Sequence, residues 1–243
     1  MSKTPLVTII TVVYNDVLHI EQTMLSVLNQ SYPNIEYIVI DGGSTDGTVD
    51  VIKKYADRLA YWVSEPDGGI YPAMNKGVEH AKGEWVNFMN SGDAFADNDV
   101  LLDIFGGDSE YSRSIGEGWR GSLIGGNTIN FYADGHEEIH HAESASVIPT
   151  HLPFSHQASF VKREVCHFDT DYHYAADYAL FYYIYHKYGA ESIRVIDRAI
   201  ARYRQEDSTT MVNAKKVKGE YLAIQSYHLT WRWVKEYIKW RWL

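Results

Sequence analysis

The order of apolar residues in the first hundred positions constrains the fold more than any other feature of this chain. Short β-branched runs alternate there with helical patterns, which is the signature of βαβ units and a parallel sheet. Strands are expected at Leu6–Val13, Ile35–Ile40, Leu59–Val63 and Trp85–Met89, with helices near Ile20–Asn29, Val49–Asp57 and Ile70–Ala81 between them. In the first helix Ile20, Thr23, Met24, Val27 and Leu28 recur at i, i+3, i+4, i+7 and i+8, one apolar stripe to lie on a sheet. After Asp93 the pattern loosens. It predicts a helix near Val100–Phe105, a Gly-rich stretch from Gly106 to Gly126, strands around Leu123–Phe131 and Gln157–Lys162, a helix near Asp177–Tyr188, and two short closing strands, Ile193–Ile196 and Ala199–Arg204. The expected class is α/β, a Rossmann-like, parallel-centred mixed sheet with flanking helices. One large domain is expected over residues 1–212, divided near residue 95, with a separate tail over residues 213–243.

Composition narrows the partners. A length of 243 residues with 45% hydrophobic content suffices for a full core. The formal charge of −10 argues against nucleic acid, which is bound by an excess of Lys and Arg. The single cysteine, Cys166, allows no intrachain disulfide, fits a reducing compartment and reads as a small core residue. The apolar run Leu6–Tyr14 is too short to span a bilayer and lacks the basic flank and cleavage site of a signal peptide, and no later run reaches about 18 apolar residues. Nineteen Tyr and seven Trp suit sugar stacking or a membrane interface, and equally an ordinary core.

In open parallel sheets ligands bind beyond the carboxyl ends of the strands. Those ends are polar here: Tyr14-Asn15-Asp16 after the first strand, Asp41 to Thr48 after the second, Glu65 to Gly69 after the third, and Asn90-Ser91-Gly92-Asp93 after the fourth. Any one such loop is explained by turn and capping chemistry. All of them together concentrate carboxylates at one edge, which repel one another unless a cation or its ligand is expected there. A dinucleotide-binding dehydrogenase is excluded because Val12-Val13-Tyr14-Asn15-Asp16 stands where that fold needs a G-x-G-x-x-G turn. A phosphate-cradling G-x-x-x-x-G-K-[ST] loop is also absent.

Val7 to Asn15, Ser26-Val27-Leu28-Asn29-Gln30-Ser31-Tyr32-Pro33, Ile38 to Thr48 and Gly69 to Gly77 together resemble family 2 inverting glycosyltransferases of the bacterial surface-polysaccharide branch, with the A-type nucleotide-sugar fold. The resemblance covers about the first 95 residues and thins beyond Phe95. It implies a nucleotide-sugar-binding half (1–95) and an acceptor-binding half (96–212), and transfer of a hexosyl or N-acetylhexosaminyl group from a UDP-sugar to an acceptor hydroxyl with inversion. It further implies that Thr11, Tyr14 and Asn15 line the nucleotide pocket and that Asp41 accepts a hydrogen bond from the base, usually uracil. Asp46, Lys76, Asn90 and Ser91 are further candidates for the donor pocket, and Asp46 serves as well as a helix cap.

The metal motif departs from the family. An acidic cluster is common after the fourth strand, whereas Met89-Asn90-Ser91-Gly92-Asp93 keeps only its last carboxylate. Mg²⁺ or Mn²⁺ tolerates this when diphosphate oxygens and waters complete the shell, so Asp93 is the expected metal ligand. The resemblance also makes Asp177, in Tyr174-Ala175-Ala176-Asp177-Tyr178, the candidate general base, a helix cap being the alternative. His156 and Gln157 resemble a pair on the acceptor or diphosphate side, where Arg202 and Arg204 from the last strand are placed as phosphate contacts or as exposed ion pairs. His140, His141 and His151 lack metal spacing and read as loop residues. Two rival functions stay open: a nucleotide-sugar-binding subunit with little activity, and a nucleotidyltransferase that releases pyrophosphate.

The tail Trp231–Leu243 differs from the acidic body. As a helix it gathers Arg232, Lys235, Glu236 and Lys239 on one face and Val234, Tyr237 and Ile238 on the other, edged by tryptophans. That pattern suits a helix lying on an anionic membrane surface, strengthened by Lys215, Lys216 and Lys218, or a helix packed on protein or a second subunit. On the first reading the acceptor is a saccharide or lipid-linked saccharide, and the enzyme sits peripherally on the cytoplasmic face of the inner membrane.

Overall fold

The computed structural model describes residues 4–115, 118–132, 134–205 and 213–227. The expected alternation of strands and helices is present. Strands β1 (Val7–Val13), β2 (Ile35–Asp41), β3 (Tyr61–Ser64) and β4 (Trp85–Phe88) run parallel in the order β3-β2-β1-β4, connected through helices α1 (Ile20–Leu28), α2 (Thr48–Lys54) and α3 (Ile70–His80). Every residue of β1 is buried, as a central strand covered on both faces requires. Its alternate side chains feed two cores: Ile10 and Val12 pack with α3, while Val7, Ile9 and Val13 pack with Ile20, Met24 and Val27 of α1. A Cβ on Gly77 of α3 would lie 2.6 Å from Cγ2 of Ile10, so the glycine lets this helix press onto β1.

The registers bring the strand ends together. Val13 pairs with Asp41, and Asp41 with Ser64, so three carboxyl ends stand in one row. Beyond Phe88 the fourth strand leaves the ladder but stays beside β1, with the Met89 and Ser91 amides donating to the Ile10 and Val12 carbonyls at 3.0 and 3.2 Å. That detour carries Asn90–Asp93 to the same edge.

The second half extends the sheet by antiparallel and mixed pairing: β5 (Ala94–Phe95), β6 (Leu123–Phe131), β7 (Glu137–His140), β8 (Ser159–Lys162) and β9 (Ile193–Arg204). The full order is β3-β2-β1-β4-β8-β6-β9-β5, with β7 pairing the Thr128–Phe131 stretch of β6 beyond the reach of β8, nine strands among the described residues. Helices α4 (Val100–Phe105), α5 (Glu110–Ser114), α6 (Ala176–Tyr188) and α7 (Ala214–Tyr227) complete the mixed α/β architecture expected from the sequence.

Three expectations are revised. The two closing strands are one, β9, which takes up its extra residues as a bulge: it runs from Val195 to Ala201 while β6 advances only from Gly125 to Thr128, and pairing resumes on the far side. The strand expected from Gln157 starts at Ser159, since His156 and Gln157 lie in a turn closed by Ala158 N–H donating to Ser155 O at 3.1 Å and Ser159 N–H to His156 O at 3.2 Å. Strands β5 and β7 and helix α5, with 2, 4 and 5 residues, are too short to leave a periodic signal.

Helix α7 begins where the tail was expected, and it docks. The Glu220 carboxylate accepts from the amides of His173, Tyr174 and Ala175 at 2.8–2.9 Å, and Tyr221 stacks on Tyr178 of α6 with centroids 4.2 Å apart. The aromatic and basic segment Trp231–Leu243 lies outside the described residues. Among those described, no helix is long and apolar enough to cross a membrane. Cys166 is buried as expected, and burial pushes its thiol well above the usual range.

Candidate active site

The loops after β1 and β2 are clasped together. Asn15, at φ 49°, donates its amide to Ser44 Oγ at 2.7 Å and accepts from the Thr45 amide at 2.8 Å; Asn tolerates this left-handed backbone better than most residues. Asp16 N–H donates to Thr48 Oγ1 at 3.0 Å. Asp46 bonds at the start of α2, one residue before its N-cap Gly47: Oδ1 accepts from Thr48 N–H and Oγ–H at 3.0 and 2.6 Å, and Oδ2 from the Val17 amide at 3.0 Å. The Thr48 hydrogen bond holds its carboxyl below the usual range. Tyr14, 67% exposed, leaves its ring free beside Gly42, whose Cβ position lies 3.3 Å from that ring and 3.0 Å from Asp67 Oδ2. An open aromatic face beside a carboxylate at a strand edge suits a flat base. Lys76 stands at the rim, paired with Glu65 at 2.8 Å.

Two expected nucleotide residues face inward instead. Thr11 is fully buried, meeting the Tyr37 hydroxyl at 2.9 Å and donating to Met89 O at 2.8 Å, because its position on β1 points into the α1 side of the sheet. Asp41 is also fully buried, and its carboxylate accepts from the amides of Gly43 and Ser44 and the hydroxyls of Ser44 and Ser64 at 2.5–3.1 Å. In this arrangement it shapes the loop that a base would meet, and a base reaches it only by displacing one of those donors.

Past β4, Asn90 and Asp93 are both buried. Asn90 Oδ1 has no hydrogen-bond partner among the described residues, an oxygen left for something the chain does not supply. Asp93 accepts from Gln157 Nε2 at 2.9 Å and from the Arg204 amide at 3.2 Å. Burial pushes its carboxyl up to about 6 against the pull of those two donors and of the Arg204 charge. An orphaned amide oxygen and a desolvated carboxylate on one short loop fit a hard, oxygen-seeking cation whose shell a diphosphate completes. No group of three or more acidic, His or Cys residues among those described would hold a metal without such help.

The second half closes the site from the other side. The Asn90 amide nitrogen is 3.0 Å from His156 Nε2, and His156 Nδ1 is 3.1 Å from Asp177 Oδ2. Asp177 Oδ1 accepts from the Tyr178 amide at 2.8 Å and, at 3.4 Å, from the Tyr71 hydroxyl of α3. Burial and the Asp177 charge raise the Tyr71 phenol far above its ordinary range, so it keeps the proton that it donates to Asp177. Arg204 enters at the end of β9, its guanidinium 2.5 Å from His19 Nε2, while His19 Nδ1 is 2.5 Å from Asp16 Oδ1 and Ser91 Oγ–H donates to Asp16 Oδ2 at 2.7 Å. Arg202 does not join this group: it pairs with Glu137 of β7 and lies over the Phe131 ring. Asp177, His156, Gln157, Arg204, Asn90, Ser91 and Asp93 therefore come together, while Arg202 goes elsewhere. Asp16, His19 and Tyr71 join the group without having been expected from the sequence; of the three, Asp16 has a readable signal, its place in the first strand-end loop.

Comparisons with known proteins bear on the fold and on the first half of the chain. Residues 8–105 match the model of glycosyl transferase family 2. An uncharacterized glycosyltransferase of Mycobacterium tuberculosis is 45% identical over 102 residues, 42% of this chain and 39% of the relative. TuaG of Bacillus subtilis, a candidate glycosyltransferase of teichuronic acid biosynthesis, is 42% identical over 92 residues, 37% of this chain and 36% of that protein. These matches span well under half of either relative. Among solved structures, the mannosyltransferase PcManGT of Pyrobaculum calidifontis, in complex with GDP-Man and Mn²⁺, superposes with a TM-score of 0.66 at 19% identity, over 94% of this chain and 65% of that one. TarS 1-349 of S. aureus, in complex with UDP, gives 0.65 at 17% identity over 91% and 64%. The fold likeness thus extends through both halves, and the segment from Thr8 to Phe105, which carries the strand-end loops, matches glycosyl transferase family 2.

Proposed function

We propose that this chain transfers a sugar from a nucleotide diphosphate donor, a UDP-sugar, to an acceptor hydroxyl with inversion, in assembly of a bacterial surface polysaccharide. The observation that carries the reading is the meeting of the donor-side loop Asn90–Asp93 with His156, Gln157, Asp177 and Arg204 of the second half. The family match over residues 8–105 supports sugar transfer as the reaction class, and UDP and GDP-Man in the related folds support the donor class.

The exposed Tyr14 ring stacks on the base, and the clasped loops 14–17 and 42–48 form the wall beside it. Asp93 and Asn90 Oδ1 would hold Mg²⁺ or Mn²⁺, and Mn²⁺ in the PcManGT complex supports a metal of this kind. When bound, the cation neutralises charge on the leaving diphosphate. Arg204, steered by His19, adds positive charge on the same side. Asp177 takes the proton from the acceptor hydroxyl as its oxygen attacks the anomeric carbon from the face opposite the diphosphate. A single displacement of this kind inverts the centre and needs no covalent enzyme intermediate. The segment Trp231–Leu243 holds the enzyme at an anionic membrane surface, where the acceptor is a lipid-linked saccharide.

A thermal-shift screen of UDP-, GDP- and dTDP-sugars with and without Mn²⁺ tests the donor claim, because a ligand that binds the folded state raises its melting point. UDP-sugars with Mn²⁺ are expected to give the largest shift. No calorimetric uptake of any nucleotide diphosphate by folded protein, with metal supplied, would end the reading. Release of pyrophosphate from a nucleoside triphosphate would replace it with nucleotidyl transfer. Liposome co-sedimentation of the full chain against one ending at Tyr227, which keeps all of α7, tests the tail, and equal binding removes that part.

A further inference from the structure

The Asn90–His156–Asp177 array has a direction. The nitrogen Nδ2 of Asn90 can only donate, so at 3.0 Å it casts His156 Nε2 as the acceptor of this pair. A neutral imidazole has its hydrogen on the other nitrogen, so Nδ1–H donates to Asp177 Oδ2 at 3.1 Å. His156 and Asp177 side chains are only 16% and 13% exposed, so water competes little for either bond. The Tyr178 amide and Tyr71 hydroxyl occupy Oδ1, which makes Oδ2 the oxygen with a lone pair left for an acceptor hydroxyl. His156 therefore fixes the oxygen that would do the chemistry, and its own orientation is fixed by the loop that holds Asp93.

We propose that His156 is a positioning residue for Asp177, locked by Asn90 as the Nδ1–H tautomer, and that the donor-side loop thereby aims the base. The proposal rests on the reading of Asp177 as base and adds to it the group that orients that base. His156 neither contacts the reacting atoms nor stores the proton. Its Nδ1 is already protonated and its Nε2 lone pair is engaged, so the acceptor proton stays on Asp177 until solvent removes it. The other charged or titratable groups facing the array are Asp93, which interacts electrostatically with His156, Tyr71 from α3, and Tyr221 and Glu220 from α7.

Two substitutions separate the ring nitrogens. His156→Asn places an amide near Nδ1 and keeps a donor for Asp177, whereas His156→Gln places one near Nε2 and keeps only the Asn90 contact. Each is measured in the full chain with Mn²⁺ by UDP release from UDP-glucose and UDP-N-acetylglucosamine, water serving as acceptor, beside calorimetric UDP affinity. Losing a hydrogen bond to a carboxylate corresponds to roughly 10- to 150-fold. His156→Gln is expected to lose about a hundredfold in kcat and His156→Asn about tenfold, with UDP affinity held within about twofold in both. Equal losses in the two variants, or a fall in UDP affinity that matches the fall in rate, would overturn the proposal. The tautomer is read without any variant, by ¹⁵N-histidine NMR of the full chain: a proton on Nδ1 and none on Nε2 supports the lock, and a proton on Nε2 overturns it. Asp177→Asn is run alongside. If it keeps full UDP release, the base reading itself falls; if it is inactive while the two His156 variants behave alike, only the role of His156 falls.

Discussion

The two halves of the sheet build the site in opposite ways. In residues 4–95 the parallel strands are in continuous register, and the polar residues at their ends bond mainly to one another: Asp41 to its own loop and Ser64, Asp46 to Thr48 and Val17, Asn15 to Ser44 and Thr45. In the second half the strands are mixed, one register slips, and the polar residues reach across the molecule. His156 meets Asn90 over a separation of 66 residues, and Arg204 meets His19 over 185. The regular half uses its carboxylates to make a rigid rim, and the irregular half supplies the groups that reach across the cleft. Acid residues at strand ends are thus poor guides to catalysis when their own loops satisfy them.

The strongest test of that division is Asp177→Asn. If the second half owns the chemistry, transfer should fall by about a thousandfold or more, the range of a lost general base, while UDP affinity stays near wild type. Parallel losses in rate and UDP affinity would show that the halves do not divide the work, and calorimetry beside a turnover assay distinguishes the outcomes.

Asp93 breaks the comparison from the other direction, being a residue of the first half that is held by the second. Its folded-state carboxyl is pushed up to about 6 by burial, from an ordinary value of 3.8. With metal absent, between roughly pH 4 and 6 the folded state keeps a proton that the unfolded chain has lost, so stability from this group falls as pH rises through that window and levels off above it. Two units correspond to about 3 kcal/mol, an upper figure for a buried group. Chemical denaturation of the metal-free chain and of Asp93→Asn at pH 4 and pH 7 should show the variant gaining on the wild type by up to that amount at the higher pH. A constant difference would mean that the carboxylate is not strained by its burial. Added Mn²⁺ with UDP should shrink the gap, because a cation favours the ionised form.

How much of this was legible follows the same line. The first four strands, their helices and the polar edge could be read because α1 and β1 each carry a clean period and parallel pairing fixes which ends are neighbours. The bonding of Asp46 at the start of α2 could be read from its place before that helix. The inward turn of Thr11 could not, since a fully buried strand gives no alternation to say which face a residue takes. Arg202 and Arg204 share a face of β9 and differ only in what stands opposite: Glu137 is on β7, a four-residue strand with no sequence signal, whereas His19 is on a loop at the far end of the chain. The tie between His156 and Asp177 needed the β8 turn and the start of α6 placed together, which local pattern does not encode.

Helix α7 tests whether the second half needs support from outside the sheet. The Glu220 carboxylate holds the amides of His173, Tyr174 and Ala175, the residues that lead into α6 and so into Asp177. Glu220→Ala leaves these donors without their acceptor and is expected to cost about 2 kcal/mol in denaturant unfolding. Turnover should fall further than UDP affinity, because the segment released is the one that presents Asp177. A variant with unchanged kcat would detach α7 from the chemistry and leave it a purely structural brace.

The smallest effect belongs to the regular half, and its sign is the informative part. Gly77 lies inside α3, where alanine is the better helix former by about 1 kcal/mol. A Cβ there would approach Ile10 Cγ2 to 2.6 Å and Ile10 Cδ1 to 3.1 Å, and Ile10 is fully buried in a strand paired on both sides. Overpacking of this kind costs about 1–3 kcal/mol, so Gly77→Ala should be destabilising by about 1 kcal/mol net despite its helical propensity. Because α3 also carries Tyr71, which touches Asp177, and Lys76 at the donor rim, a helix pushed outward would disturb both sides of the cleft at once. Thermal unfolding gives the sign directly. A stabilised variant would mean that α3 can ride outward on β1 without cost, and the rigidity attributed to the first half would then have to come from its loops alone.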